Sequence, residues 1–538
     1  MARDVNRELL ELAAFEGEEL EKFYPIWVKT AEKLQLTDDK VAYAVDTYLP
    51  QNWDLKYLGV RKMIGAYLRE VAEICDTPNK KANGVKIVYG ILPAIANYYY
   101  AVKESGGDKV FIGFPDLILV NVLNSFFHSA APFLNEAEKM GFTYGCRHCP
   151  LNKMRVAAYT TGTIAAPDLI WSWGFNCDEG PKTDEFIQGI TGKQWRYHVS
   201  RVPHDGRFDE QEDMIEDRVR FMSEQMKLGV KAIEEATGIE VTDEHLALAN
   251  KHAGAMGFKV GMLTQMTTNS NPPVLGGETL TMLQQCLTVP FNTGFKYMED
   301  AIDTLIKECR KAIKNGEGVM PKDTPTVGYY NLPFCVPWVG KFFRDNGVIG
   351  TFSHALTLSK LEQSASKYPD DPWMAAAEMW SRNGMCRNLA GEAESMIEKV
   401  EMCHPDGMIL GFFDFDRWLG AQQKIMAKIV EEKTGVPSYY IEADFWDDRD
   451  YSPESLKTRI ESVCQIIHAF QGEVEMVYCS PESDIVRKMV EAQGVTYLPM
   501  KTMSVSELSR VIREQKPDLI HAHDMRAGFF SALCCGKI

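Results

Sequence analysis

The sequence predicts an α/β protein with two doubly wound, Rossmann-like domains that carry helical insertions and face a central cleft, plus a partial α/β tail. Three observations predict it. Short, β-branched, almost continuously apolar runs at 85–92, 110–114 and 169–173 alternate with helical stretches, the pattern of parallel strands covered on both faces. The alternation resumes at 326–331, 348–352, 408–412 and 439–442. After Gln471-Gly472 a third, shorter series begins, at 474–479, 496–499 and 517–524. The expected domains are therefore 1–205, 206–471 and 472–538.

Taken in order, residues 3–34 and 38–76 read as helices. The second has a polar break at Asn52-Trp53-Asp54 and then an apolar stripe, Leu55, Leu58, Val60, Ile64, Leu68 and Val71, at near-helical spacing. Helical stretches at 95–104 and 118–140 separate the first strands. Pro150 can open a helix over 151–159, and Ala165-Ala166-Pro167 ends it before the strand at 169–173. The polar and aromatic run near 196–206 reads as a connection, followed by a charged helix to Thr237. Thr242 supplies an N-cap for an apolar run through Met256. Loops are expected at 271–277 and 289–294, and Asn315-Gly316 stops a helix over 297–315. Helices at 338–346, 372–401 and 418–433 complete the second domain, and helices at 481–492 and 504–515 the tail.

Composition narrows the function. With 538 residues, 45% of them hydrophobic, the chain can bury a core for two or three domains. A net charge of -17 argues against nucleic acid as the main partner, because phosphate binding needs a basic footprint. No apolar run reaches membrane-spanning length, and the N-terminal stretch reads as an acidic helix, so neither a membrane nor a signal peptide is expected. Thirteen Cys without a short secreted framework fit a reducing, cytoplasmic setting. Neither GxGxxG nor GxxxxGK[ST] occurs, so ATP chemistry has no internal P-loop.

Chemistry concentrates between Tyr144 and Glu185. Cys146 and Cys149 form a Cys-x-x-Cys pair, and Cys177 follows the strand at 169–173, so a helix and a returning strand can bring three thiols to one sheet edge. Buried structural Cys is the ordinary fate of such residues, but Arg147, His148, Asp178 and Lys182 are not the neighbours of an apolar thiol. A structural zinc site would want a second knuckle. Cys335 lies in a loop after the strand at 326–331 and can face the same cleft. His198 and His204 are candidate catalytic residues, and Lys182 and Arg155 candidate cofactor-binding residues.

The runs GCRHCPLNK (145–153), PDLIW (167–171) and NCDEGPKTDE (176–185) resemble the cluster-binding half of the 2-hydroxyacyl-CoA dehydratase and benzoyl-CoA reductase family. The likeness extends through GVRKMIGAYLRE (59–70), KIVYGILPA (86–94), DGMILGFFDFDRWLGAQQ (406–423) and IEADFWDDRDYSPESLKTRIES (441–462), and so covers residues 1 to about 470. The resemblance implies a [4Fe–4S] cluster held by three Cys, and one-electron, ketyl-radical reduction of a CoA thioester. It also implies a homologous partner subunit, as a hetero- or homodimer, and a separate ATP-dependent iron–sulfur activator protein. Cys149 and Cys177 match the motif directly. Family members place a further cluster Cys after the strand that here is 408–412, where this chain has Phe413, Asp414, Phe415 and Asp416. The third ligand is then Cys146, Cys335 or Cys403. A double-cubane-type reductase of small molecules and a non-catalytic partner subunit are the alternatives. The tail, with KPDLIHAHD at 516–524, resembles the opening of a GT-B glycosyltransferase and lacks that fold's donor-binding half.

Overall fold

The computed structural model describes residues 3–520 except 93, 143–147, 175–178, 203–213, 332–335, 384–386, 413–416, 471–476, 493–494 and 518–519. The chain divides into two compact units, Met1–Leu456 and Lys457–Ile538.

Two four-stranded parallel sheets organise the first unit. One contains β1 (Lys86–Gly90), β2 (Val110–Gly113), β3 (Leu169–Gly174) and β4 (Tyr197–Arg201), in the order β2-β1-β3-β4. The other contains β5 (Thr326–Tyr329), β6 (Ile349–Ser353), β7 (Gly407–Leu410) and β8 (Ser438–Tyr440), in the order β6-β5-β7-β8. The two orders follow the same rule: the first strand is flanked by the second and third, and the fourth takes an edge. All pairings within them are parallel. β2, β6 and β7 are buried at every position, which is why they read as unbroken apolar runs.

A Pro-Asp pair starts the third strand of each sheet. Asp168 donates its N–H to Ile87 O at 2.8 Å, and its Oδ2 accepts the Ile87 N–H at 2.8 Å. Asp406 repeats the arrangement on Thr326, at 2.8 and 2.7 Å. Pro167 and Pro405 precede them, with no N–H to waste where the ladder has not yet begun. The same Pro-Asp dipeptide recurs at 517–518 in the tail, where Asp518 lies outside the described residues.

The helices that matter for the site are α1 (Val5–Leu12), α2 (Gly17–Lys33), α3 (Leu58–Cys75), α4 (Ala96–Gly106), α5 (Pro115–Phe127), α6 (Ala131–Lys139), α7 (Pro150–Thr160) and α8 (Glu179–Thr191). In the second half they are α9 (Met214–Thr237), α10 (Asp243–Thr268), α11 (Gly277–Gln284), α12 (Lys296–Asn315), α13 (Trp338–Asp345), α14 (Pro372–Arg382), α15 (Leu389–Cys403) and α16 (Arg417–Thr434). β3 is wedged between halves by aromatic rings: Tyr98 meets Trp171 at 5.9 Å, and Trp173 meets Trp380 of α14 at 5.1 Å. Each such pair adds about 0.5–1.5 kcal/mol beyond its burial.

Several expected elements are corrected. The helix expected over 3–34 is two, because Ala14 takes a left-handed φ of 64° between α1 and α2. The stretch 118–140 is likewise two, broken by left-handed His128. The connection near 196–206 contains β4, and α10 runs well past Met256. In the second unit β9 (Val477–Pro481) and β10 (Thr496–Met500) pair in parallel around α17 (Asp484–Glu491), with α18 (Val505–Gln515) following. Most of the strand expected at 517–524 lies outside the described residues.

Candidate functional site

The site is built at the carboxyl edge of the first sheet. β1 ends in Gly90, where a Cβ would meet Phe114 Cε1 at 2.2 Å and the Tyr99 hydroxyl at 2.4 Å, so only glycine lets these strands and helices close up. Cys149 is the N-cap of α7, with Pro150 in the first turn, a position whose missing N–H costs the helix nothing. Helix N-termini favour negative charge, and a metal-ligating Cys is a thiolate. Cys149 is buried, at 9% exposure.

Glu179, the first residue of α8, ties the start of α7 to the start of α8. Its Oε1 accepts the Cys149 N–H at 2.8 Å and lies 3.0 Å from His148 Nδ1. Cys149 is thereby held beside the start of α8, while Cys146 and Cys177 lie outside the described residues.

Beneath Cys149 sits Arg155, with no exposed surface. Its Nη1 lies 2.6 Å from Asp116 Oδ2, its Nε 3.1 Å from Asp184 Oδ1, and its Nη2 donates to Gly180 O at 2.9 Å. Burial lowers its pKa, while Asp184, Asp116 and Cys149 raise it further, and the net shift is upward. Burial raises the pKa of both Asp116 and Asp184, with the guanidinium opposing it. Asp184 also accepts from Ser172 Oγ at 2.5 Å and Trp195 Nε1 at 3.1 Å. One buried cation thus locks α5, α7 and α8 to β3 under the cysteine.

The other candidates fall as follows. Arg155 commits both of its Nη groups to this network, and Lys182 is exposed on α8. His198 is half-buried on β4, where burial pushes its ring below the ordinary imidazole range and Glu235 of α9 opposes the shift. Cys403, the last residue of α15, is buried, and burial pushes its thiol up to about 11, away from the thiolate form. His204, Cys146, Cys177, Cys335 and Asp416 lie outside the described residues. Among the described residues no group of three or more His, Cys, Asp or Glu could hold a metal ion.

A cavity of about 750 Å³ lies between the carboxyl ends of β1 and β6. Leu92, Ala94, Ile95 and Asn97 follow β1, Ala355 to Thr357 follow β6, and α10, α11 and α14 supply much of the remaining wall. One end is polar: Arg382 Nη2 pairs with Glu378 Oε1 at 2.5 Å, and its Nη1 donates to the carbonyls of Ser364 and Ala365 at 2.9 and 2.8 Å. Glu362 pairs with fully buried Lys399 at 2.9 Å. Sequence reasoning missed this cavity and missed Glu179 as the joining residue. Only the position of Glu179 just beyond Cys177 could have suggested its role.

A cysteine at the start of a helix beside a parallel sheet, and a cavity between strand ends, belong to an α/β protein that can hold a ligand there. Residues 116–467 match the model of the 2-hydroxyglutaryl-CoA dehydratase, D-component, family, and the chain belongs to that family. It is also 25% identical over 190 residues to a benzoyl-CoA reductase subunit of Thauera aromatica, a match covering 33% of this chain and 44% of the relative. The chain thus spans less than half the length of that curated relative. The family consists of dehydratase- and reductase-type enzymes, which supports an enzymatic role. No helix among the described residues is long and apolar enough to cross a membrane.

Proposed function

We propose that this chain is the iron–sulfur subunit of a 2-hydroxyacyl-CoA dehydratase- or benzoyl-CoA reductase-type enzyme, acting on a CoA thioester. The observation that carries the reading is the Glu179 carboxylate joining the flanks of the two cysteine loops, in a chain whose family membership covers both of them from residue 116 onward. The donor set suits iron and sulfide: Cys149 is at a helix N-terminus, and in the sequence Cys146 stands two residues before His148 and Cys177 two residues before Glu179. Cys149, Cys177 and either Cys146 or Cys335 would hold a [4Fe–4S] cluster. When bound, it supplies one-electron chemistry and a Lewis-acid iron for the thioester carbonyl.

The chain's own residues do the rest. Glu179 orients the Cys149 backbone, Arg155 holds the floor rigid without offering a mobile proton, and the cavity takes substrate away from water. We read the two sheets as two doubly wound domains whose carboxyl edges face one cleft. A homologous subunit and a cytoplasmic location belong to the same reading, and ATP chemistry falls to a separate activator because the sequence contains no phosphate-binding loop. The tail, which resembles the opening of a GT-B-like domain, takes no part in this chemistry. A second reading, a non-catalytic partner subunit, is favoured by Phe413, Asp414, Phe415 and Asp416 standing where family members have a Cys. The test is a reconstitution with activator, ATP and a 2-hydroxyacyl-CoA. Turnover that requires all three supports the reading, and turnover without activator contradicts it.

A further inference from the structure

The polar end of the cavity is walled by a stretch without regular structure. Between β6 and α14, residues 359–371 form turns but neither helix nor strand, and so long a bare connection inside a compact unit is uncommon unless it covers or binds something. Gln363, Ser364 and Ser366 line the cavity and are also exposed. The stretch therefore has the cavity on one side and solvent on the other. No apolar residue between Leu358 and Ala376 is buried, so packing does not hold it down. Polar bonds do.

Those bonds differ between the ends of the stretch and its middle. At the first end Glu362 pairs with Lys399, the two side chains 1% and 0% exposed, and Glu362 Oε2 accepts the Leu358 and Ser359 N–H groups at 2.9 and 2.8 Å. Lifting this end would strand a buried ammonium, which is costly. At the other end Asp371 caps α14, accepting the Trp373 and Met374 N–H groups at 3.0 Å each, and Trp373 stacks on Tyr98 at 6.0 Å. The middle hangs on two side chains of α14. Ser366 Oγ and the Lys367 N–H donate to Glu378 Oε2 at 2.5 and 3.0 Å, and Arg382 Nη1 donates to the Ser364 and Ala365 carbonyls. Glu378 and Arg382 also pair with each other, so releasing the middle leaves neither charge alone, and the freed backbone groups regain hydrogen bonds from water.

We infer that residues 364–370 are a strap that swings between fixed roots at Glu362 and Asp371, with the Glu378–Arg382 pair as its latch, and that its release opens the polar end of the cavity. Arg382 lines the cavity as well, so an acceptor group arriving there competes with the strap carbonyls for the same Nη1 donors. Occupancy and opening are coupled through that competition. The device governs the cavity whatever it binds, and so stands apart from the thioester reading.

The experiment is hydrogen exchange, resolved to single amides, on the full-length, anaerobically purified protein. Leu358, Ser359 and Lys367 each donate an N–H to a carboxylate oxygen, and differ in that the first two belong to a root and the third to the latch. In the parent, Lys367 should exchange about tenfold or more faster than Leu358 and Ser359, because local opening reaches it without disturbing the roots. Ser366→Ala removes one bond to the latch from an exposed site and leaves Glu378 and Arg382 paired. It should speed exchange at Lys367 about tenfold, with Leu358, Ser359 and the melting temperature unchanged. A parent Lys367 amide as slow as Leu358 and Ser359 overturns the inference. So does a Ser366→Ala protein in which Lys367 keeps the parent rate, or in which the root amides accelerate as much as Lys367.

Discussion

Around Cys149, individual residues are held by charge more than by apolar packing. Arg155→Met would leave Asp116 and Asp184 buried and facing each other without a cation, a loss of about 3–5 kcal/mol. Arg155→Lys should rescue only part of it, because a single ammonium cannot reproduce the planar fork that reaches Asp116, Asp184 and Gly180 together. Urea unfolding measures both. A second prediction concerns His128, whose Nε2 lies 2.6 Å from Asp448 Oδ2. The hydrogen bond to Asp448 raises the His128 pKa, and His128 in turn lowers that of Asp448 against its burial. A raised histidine stabilises below its unfolded pKa and stops doing so as pH rises through the folded value. The stability gap between the parent and His128→Gln should therefore be open near about pH 5.5 and closed near about pH 9. The reverse trend in urea midpoints would disprove the pairing. Burial also pushes the thiols of Cys75 and Cys309 up to about 12, so Cys309→Ala should leave bound iron unchanged.

Whole strands and helices show which signals a sequence carries. β1, β2 and β3 were legible because burial on both faces demands unbroken apolar runs. β4 was not, because it is an edge strand whose Tyr197, His198, Val199 and Arg201 stay partly or fully exposed and therefore varied in polarity. The length of α10 was obscured by the glycines that line the cavity, which erase apolar periodicity beyond Met256. The cavity itself had no local signature: its walls come from residues after β1, from α10 and α11, from residues after β6, and from α14. Cys149 was legible as the start of a helix, because Pro150 directly after it suits the first helical position. Glu179 was not, because a carboxylate beside a thiol has no meaning until its backbone partner is known. The paired Pro-Asp starts supply a prediction of their own. Asp406→Ala should cost about 1–2 kcal/mol and speed hydrogen exchange at Thr326, since a charged acceptor on a strand's first N–H is lost.

For the whole molecule, the compact unit ending at Leu456 contains both parallel sheets, the cavity and Cys149. Deleting residues 472–538 should accordingly leave iron content and thioester binding unchanged. Iron lost from that truncated protein would make the tail part of the working fold. The central claim, a cluster at the carboxyl edge of the first sheet, is tested most directly by iron and acid-labile sulfide analysis of anaerobically purified parent and Cys177→Ala proteins, with EPR of the reduced samples. A single [4Fe–4S] cluster gives about four iron and four sulfide per parent chain, and Cys177→Ala, still folded, should retain little of either. An iron-free parent, or full iron in Cys177→Ala, would contradict it.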